Sequence, residues 1–255
     1  MAKAWYGDYV EGDFLQRLGV IADIHGNFLA LEAVLRDARQ RGVERFVDLG
    51  DIVYGPLWPV ETFRMFREAP ILAGVRGNQD RRTIDGLDAS SNEWLMKLPV
   101  TATVGEMFLC HGTPAGDTTY LLEDVTSGFP LVRTESAILE LLGDVREPVV
   151  LCGHSHIPRV VRLSNGQMIV NPGSVGLPAY DDDKPVPHFM ETYSPHGSYA
   201  VLEKGGEGWA VSLHRVVYDW SEAARRARTL GKEDWAQGLE TGRMRLAGTT
   251  VHSVT

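Results

Sequence analysis

Apolar residues gather in short unbroken runs, and several of these stop at a polar block with a glycine in or beside it. Leu18–Ala22 runs into Asp23-Ile24-His25, and Arg45–Leu49 into Gly50-Asp51. Pro70–Val75 runs into Gly77-Asn78, Glu106–Cys110 into His111-Gly112, and Pro148–Cys152 into Gly153-His154-Ser155-His156. A continuous apolar run of this length reads as a strand buried on both faces. Between the runs the period changes. Asn27 is placed to cap a helix that carries Phe28, Leu31, Leu35 and Ala38 at helical spacing. Residues 59–67 and 134–142 predict two further helices, and 101–104 pairs with 106–110 as a hairpin about Gly105.

Beyond residue 158 the pattern turns strand-rich. Segments 159–163, 167–170, 199–202 and 209–217 are separated by turn signals such as Asn165-Gly166 and Gly205-Gly206, which predicts a meander. Residues 218–243 predict one or two terminal helices, and the last dozen residues a loose tail. The whole predicts an α/β fold: two sheets packed face to face with helices outside. With no linker or internal repeat in view, one domain over 1–255 is expected, its core at about 16–217 and a helical extension at about 218–245. Two segments resist assignment. Residues 113–130 are polar, and 178–197 hold Asp181-Asp182-Asp183-Lys184, His188 and His196. Long irregular stretches of this kind are often functional. The acidic run reads as a solvated loop tip or a lid.

Composition removes some function classes. The 255 residues are 44% hydrophobic and 23% charged, ordinary for a globular protein. No run reaches the roughly 20 apolar residues that span a bilayer. Residues 1–14 lack the apolar centre of a signal peptide, and two cysteines make no disulfide framework, so a reducing cytoplasm is expected. The net charge of −9 argues against an extended nucleic-acid surface. A small phosphate ester or nucleotide stays open as substrate, no membrane partner is expected, and self-association is left open.

The five blocks carry the chemistry. They offer Asp23, His25, Asp51, Asn78, His111, His154 and His156, enough donors for two metal ions. Ligands of open α/β sheets gather at the carboxyl ends of strands, where every block falls. Carboxylate, imidazole and amide oxygen together suit Mn, Fe, Zn, Co or Ni better than Mg or Ca, and manganese is the expected ion. Asp51, beside Gly50, is placed to bridge. Singly each block has an ordinary reading: Gly-Asp and Gly-Asn as turns, His111 as a hydrogen-bonded histidine. The metal reading rests on their joint occurrence.

In this order the blocks resemble the calcineurin-like metallophosphoesterase superfamily, in its small bacterial and archaeal branch. Asp23-Ile24-His25-Gly26-Asn27 and Asn171-Pro172-Gly173-Ser174-Val175-Gly176 are similar to that branch. The resemblance spans about residues 18–217 and implies a double sheet sandwich flanked by helices. It also implies one metal on Asp23, His25, Asp51 and His156, and a second on Asp51, Asn78, His111 and His154. A bridging hydroxide would attack phosphorus in line. Asn27 would touch a phosphate oxygen or serve only as a cap. Gly173 and Ser174 would form a turn beside the site. The family's Gly-Asn-His-Asp reads Gly77-Asn78-Gln79-Asp80 here, so the usual proton donor is replaced by Gln79, which cannot deliver a proton near neutrality. His188 or His196 could substitute for it; Asp80, counted with Asp51, Asn78 and Gln79 among the catalytic residues, could orient an imidazole restored at position 79. The implied activity is a phosphodiesterase. Alternatives are a protein Ser/Thr phosphatase, a dinucleoside polyphosphate hydrolase, or a non-catalytic scaffold in membrane trafficking.

Overall fold

In the computed structural model, which describes residues 16–244, two five-stranded sheets pack face to face. The readings for residues 1–14 and for the tail from 245 onward lie outside the described residues. The first sheet is built around β1 (Arg17–Ile21), which runs parallel to β2 (Phe46–Asp48), itself parallel to β3 (Ile71–Gly74). The second holds β4 (Thr101–Val104), β5 (Met107–Cys110), β8 (Val149–Leu151), β9 (Arg159–Arg162) and β10 (Met168–Asn171), in the order β4-β5-β8-β10-β9. Strand β5 is parallel to β8 and β8 to β10.

Alternation explains why these runs are apolar throughout. Leu18 and Val20 of β1, Val149 and Leu151 of β8, and Met168 and Val170 of β10 meet between the sheets. The intervening residues face outward. Ile21 packs under α1 (Phe28–Gln40) and α2 (Pro59–Glu68). Val150 and Ile169 pack under α4 (Glu135–Leu142). The result is the expected helix–sheet–sheet–helix sandwich.

Helix starts follow local chemistry. Asn27, Asp88, Thr134 and Asp219 each accept an N–H of the first turn, and α2 opens on Pro59. The extension forms α5 (Trp220–Thr229) and α6 (Glu233–Thr241), which pack on the outer face of the first sheet.

Three expectations need correction. The late strands are not one meander. β9 and β10 close the second sheet, whereas β13 (Gly197–Gly205) and β14 (Gly208–Val216) form a hairpin that joins the first sheet antiparallel to β1. Turn signals mark where strands end, not which sheet receives the next one. Second, the segments left unassigned contain pairing. β6 (Glu123–Asp124) pairs β7 (Leu131–Val132), and β11 (Ala179–Asp182) pairs β12 (His188–Glu191). Third, α3 (Ala89–Met96) had no signal, because only Asn92 and Leu95 of its eight residues are buried and no apolar stripe forms.

Candidate metal centre

The blocks follow the carboxyl ends of β1, β2, β3, β5 and β8, three strands of one sheet and two of the other. Their side chains converge at the ends of both sheets. His156 Nε2 lies 3.3 Å and His25 Nε2 4.0 Å from Asp23 Oδ1. Asp51 Oδ2 is 3.8 Å from His25 Nε2 and 3.6 Å from His111 Nε2. Asp23 with His25 and His156, and Asp23 with Asp51 and His111, each form a buried cluster with ligand atoms within 4.8 Å of one another. Asn78 Oδ1 is 3.0 Å from His111 Nε2. The His154 ring lies 5.1 Å from that of His111. Asp23 is common to the two clusters, and Asp51 approaches a histidine of each.

Tautomers decide what these contacts mean. His25 Nδ1 faces the Tyr54 carbonyl at 3.0 Å, His111 Nδ1 that of Leu49 at 2.7 Å, and His156 Nδ1 that of Leu177 at 2.6 Å. A nitrogen facing a carbonyl carries the hydrogen, so each Nε2 presents a lone pair inward. His25 Nε2 and His156 Nε2 are then two acceptors 3.1 Å apart, and His111 Nε2 faces the Asn78 carbonyl oxygen in the same way. Asp23 Oδ1 is buried with no hydrogen-bond partner. Facing lone pairs and an orphaned buried carboxylate oxygen are what a cation between them would relieve, so the residues fit the implied metals.

Electrostatics agree. Burial pushes the His25 and His154 rings down to about 3, helped by His156 and His111 respectively, so both are neutral. Burial opposes ionisation of Asp23, and its carboxyl is held at about 2 only with protonated His156, His111 and His25 around it, a place that a cation would take where those rings are neutral. Burial, then the charges of Asp80 and Asp23, push Asp51 well above the usual carboxylate range. Buried carboxylates crowded in this way call for positive charge among them.

The backbone is bent to reach this arrangement. Asp23, His25, Asp51, His154 and His156 all have positive φ, between 51° and 67°, and Tyr193 is the one other described non-glycine residue that does. Side chains there cost roughly 1–2 kcal/mol each. Close loop packing makes the bends possible. A Cβ on Gly77 would strike Asp51, and one on Gly50 would strike Gly77.

Asp80 holds those two loops together. It is wholly buried and accepts N–H bonds from Asp51 (2.8 Å), Ile52 (3.0 Å) and Gly77 (2.8 Å). It is therefore a positioning residue, and the expectation that it acts directly in catalysis is corrected, since it does not line the cavity. Asp80→Asn turns one amide group toward a backbone N–H. It should cost about 1–3 kcal/mol in a thermal melt and weaken metal binding about 10–100-fold in a calorimetric titration. Unchanged melting and unchanged affinity would remove this role.

Asn27 is likewise spent on the fold. Fully buried, it accepts from Ala30 N and donates to the Gly176 carbonyl (2.9 Å) and the Tyr218 hydroxyl (3.2 Å). It is a cap, not a phosphate contact, and it does not line the cavity. Gly173 and Ser174 make the expected turn: the Ser174 hydroxyl donates to Asp23 O at 2.7 Å. Gln79 does line the cavity, and its backbone N–H donates to Asp51 Oδ1 at 2.8 Å. Neither suggested substitute for it does. His188 is locked between the Val186 carbonyl and the Tyr120 hydroxyl, and His196 packs on Trp220. Arg76 is tied to Met96 O and Arg81 to Asp117, while Arg82 lies over the Tyr54 ring. None of the three lines the cavity. Cys110 and Cys152 are buried and unpaired, and burial pushes the Cys110 thiol up to about 12.

Several residues had no sequence signal. Tyr120 stacks on the His154 ring at 4.6 Å, and Tyr180 packs on His156 at 4.5 Å. The Tyr180 hydroxyl also lies 2.8 Å from the His154 carbonyl oxygen. Together they brace both imidazoles of the last block. The cavity over the site measures about 200 Å³ and is closed by β11 and by α6, through Trp235. These residues lie on segments whose pattern speaks only of packing.

Comparison with known proteins accords with this geometry. Residues 17–192 match the family described as the calcineurin-like phosphoesterase superfamily domain. A metallophosphoesterase from Sphaerobacter thermophilus is 26% identical, with a TM-score of 0.67 over 89% of this chain and 99% of that one. A hypothetical protein from Pyrococcus horikoshii shares the fold at 19% identity, with a TM-score of 0.66 over 89% of this chain and 98% of its own. An uncharacterized protein of Methanocaldococcus jannaschii is 26% identical over 239 residues, 81% of this chain and 89% of that protein. With the family match spanning most of its length, the chain belongs to the calcineurin-like phosphoesterase superfamily and is a metal-binding phosphoesterase, a hydrolase of phosphoric esters.

Proposed function

We propose that the protein is a phosphodiesterase that works with two divalent transition-metal ions on small or nucleotide-like esters. One ion would be held by Asp23, His25, Asp51 and His156, the other by Asp51, Asn78, His111 and His154. The observation that carries this reading is the pair of lone-pair contacts, His25 with His156 and His111 with Asn78, on either side of Asp51. When bound, the ions supply Lewis acidity toward the phosphoryl oxygens and acidify a water. The chain's own part is to fix the ligands. Backbone carbonyls set three histidine tautomers, Asp80 ties the Asp51 and Gly77 loops, and the tyrosines brace His154 and His156. A cavity of about 200 Å³ favours a small substrate, since pockets for drug-sized ligands measure roughly 300–1,000 Å³. Manganese is our first choice of ion, with Fe, Zn, Co and Ni as the others that suit this donor set. We place the protein in the cytoplasm, in keeping with its two unpaired cysteines. Among the described residues no helix is long and apolar enough to cross a membrane.

Elemental analysis of purified protein should find about two divalent transition-metal ions per chain. Exhaustive chelation should abolish hydrolysis of bis(p-nitrophenyl) phosphate, and manganese should restore it. Activity that survives chelation in metal-free protein would refute the proposal.

A further inference from the structure

The last ligand block is gripped from behind, by side chains outside the ligand set. His154 and His156 both have left-handed backbone, with φ of 67° and 59°, and Ser155 between them is wholly buried. The Ser155 N–H donates to the Gly153 carbonyl at 2.8 Å. Its hydroxyl is saturated: Oγ accepts the Asn171 amide at 3.0 Å and the Ile157 N–H at 3.5 Å, and its hydrogen goes to the Glu123 carboxylate. Asn171 is fixed in turn, donating to the Gly153 carbonyl and accepting the Gly173 N–H, both at 2.8 Å.

Glu123 is the unexpected member of this group. It opens β6, outside both five-stranded sheets, and is 1% exposed. Arg159, the first residue of β9, donates from Nε to its Oε1 at 3.1 Å. Burial pushes the carboxyl up, and the Arg159 charge and the Ser155 bond pull against that shift. Replacing a buried ion pair by well-packed apolar side chains is often neutral or stabilising, so stability alone does not account for a carboxylate here. Position does. The carboxylate and the Asn171 amide hold the one residue that lies between two imidazoles on strained backbone, and such backbone persists only where its surroundings over-determine it. The same segment lays Tyr120 on the His154 ring.

Resting on the two-ion reading, we infer that Glu123 is a positioning residue for both ions. Through Ser155 it fixes His154, assigned to one ion, and His156, assigned to the other. Segment 113–130, which resists assignment from its sequence, supplies this grip.

Manganese titration in a calorimeter, on wild type and variants, tests the assignment. Ser155→Ala removes the hydroxyl and Glu123→Met removes its acceptor, and each should weaken both ions about tenfold. Glu123→Gln is the conservative exchange: its amide oxygen still accepts the Ser155 hydrogen, so both affinities should stay within about twofold of wild type. Both Glu123 variants lose the Arg159 ion pair and should melt earlier, but only the Met variant should bind poorly. In the double variant Ser155→Ala, Glu123→Met, affinity should fall no further than in Ser155→Ala alone. Cobalt-loaded protein gives a readout independent of turnover. Its visible absorption should shift in Ser155→Ala and Glu123→Met and match wild type in Glu123→Gln. Equal losses in the Met and Gln variants, loss at one ion only, further loss in the double variant, or affinities that no variant changes overturns the inference alone. A wild type that binds fewer than two ions overturns the two-ion reading and this inference with it.

Discussion

Asp51→Asn should abolish most of the activity, on the order of 10²- to 10³-fold or more in kcat, and should lower the metal content below two ions per chain. Asp51 Oδ2 lies 3.8 Å from His25 Nε2 and 3.6 Å from His111 Nε2, so it reaches one proposed ligand of each ion. Its other oxygen accepts the Gln79 N–H. An amide can keep that second bond, but it has no charge and offers the metals one oxygen or an N–H donor. The fold should survive, because burial and neighbouring charges already push the Asp51 carboxyl well above its usual range and a neutral group removes that repulsion. Asn27→Ala is the contrasting variant. It loses a helix cap and two buried hydrogen bonds, so about 1–2 kcal/mol of stability should go while kcat stays near wild type. Metal analysis, thermal melts and kinetics on the two variants give the comparison. An Asp51→Asn protein with both ions and near-full turnover would refute the bridge.

Leaving-group acidity should dominate the substrate profile. Where the family carries a histidine, Gln79 lines the cavity, and its Oε1 has no hydrogen-bond partner. His188 and His196 are engaged elsewhere, and the imidazoles that do reach the cavity are the proposed ligands His25, His154 and His156. The departing oxygen must therefore leave largely as an anion. General acid catalysis is typically worth about 10²- to 10⁴-fold, so nitrophenyl diesters should outpace simple alkyl diesters by that order. A plot of log kcat against leaving-group pKa, with chemistry rate-limiting, should slope steeply downward. A flat plot would mean that a proton is still delivered. Gln79→His should recover part of the rate on poor leaving groups, provided the one acceptor site that Asp80 keeps beside its three backbone N–H bonds can orient the new ring.

The convergence of these residues was legible because a cluster of carboxylates and imidazoles calls for residue types that packing does not. Asp23, Asp51, His111 and His154 interrupt apolar runs at strand ends, where a solvated turn would carry no such mixture. The layered fold was readable for a related reason: runs buried on both faces, such as 149–151 and 168–171, need cover on each side. What escaped was pairing and reach. Nothing in the 199–217 pattern says that its hairpin joins β1 and not β9, since register and neighbour are set by tertiary packing. Tyr120, Tyr180 and Trp235 look like any core aromatic until the ring beneath each is known. Asn27 shows the converse: a polar residue beside the site whose whole capacity is consumed by a cap, a carbonyl and a hydroxyl.

The left-handed backbone at Asp23, His25, Asp51, His154 and His156 gives descent a direction. A duplicated copy released from hydrolysis would be under no constraint to keep a side chain at those bends. Each drift to glycine there would relieve strain of roughly 1–3 kcal/mol. Loss of Asp51 would also remove a carboxylate that burial penalises. Turnover and thermodynamic persistence therefore pull the same five positions in opposite directions, and a lineage that abandons the reaction would shed its ligands downhill while the double sheet stays standing.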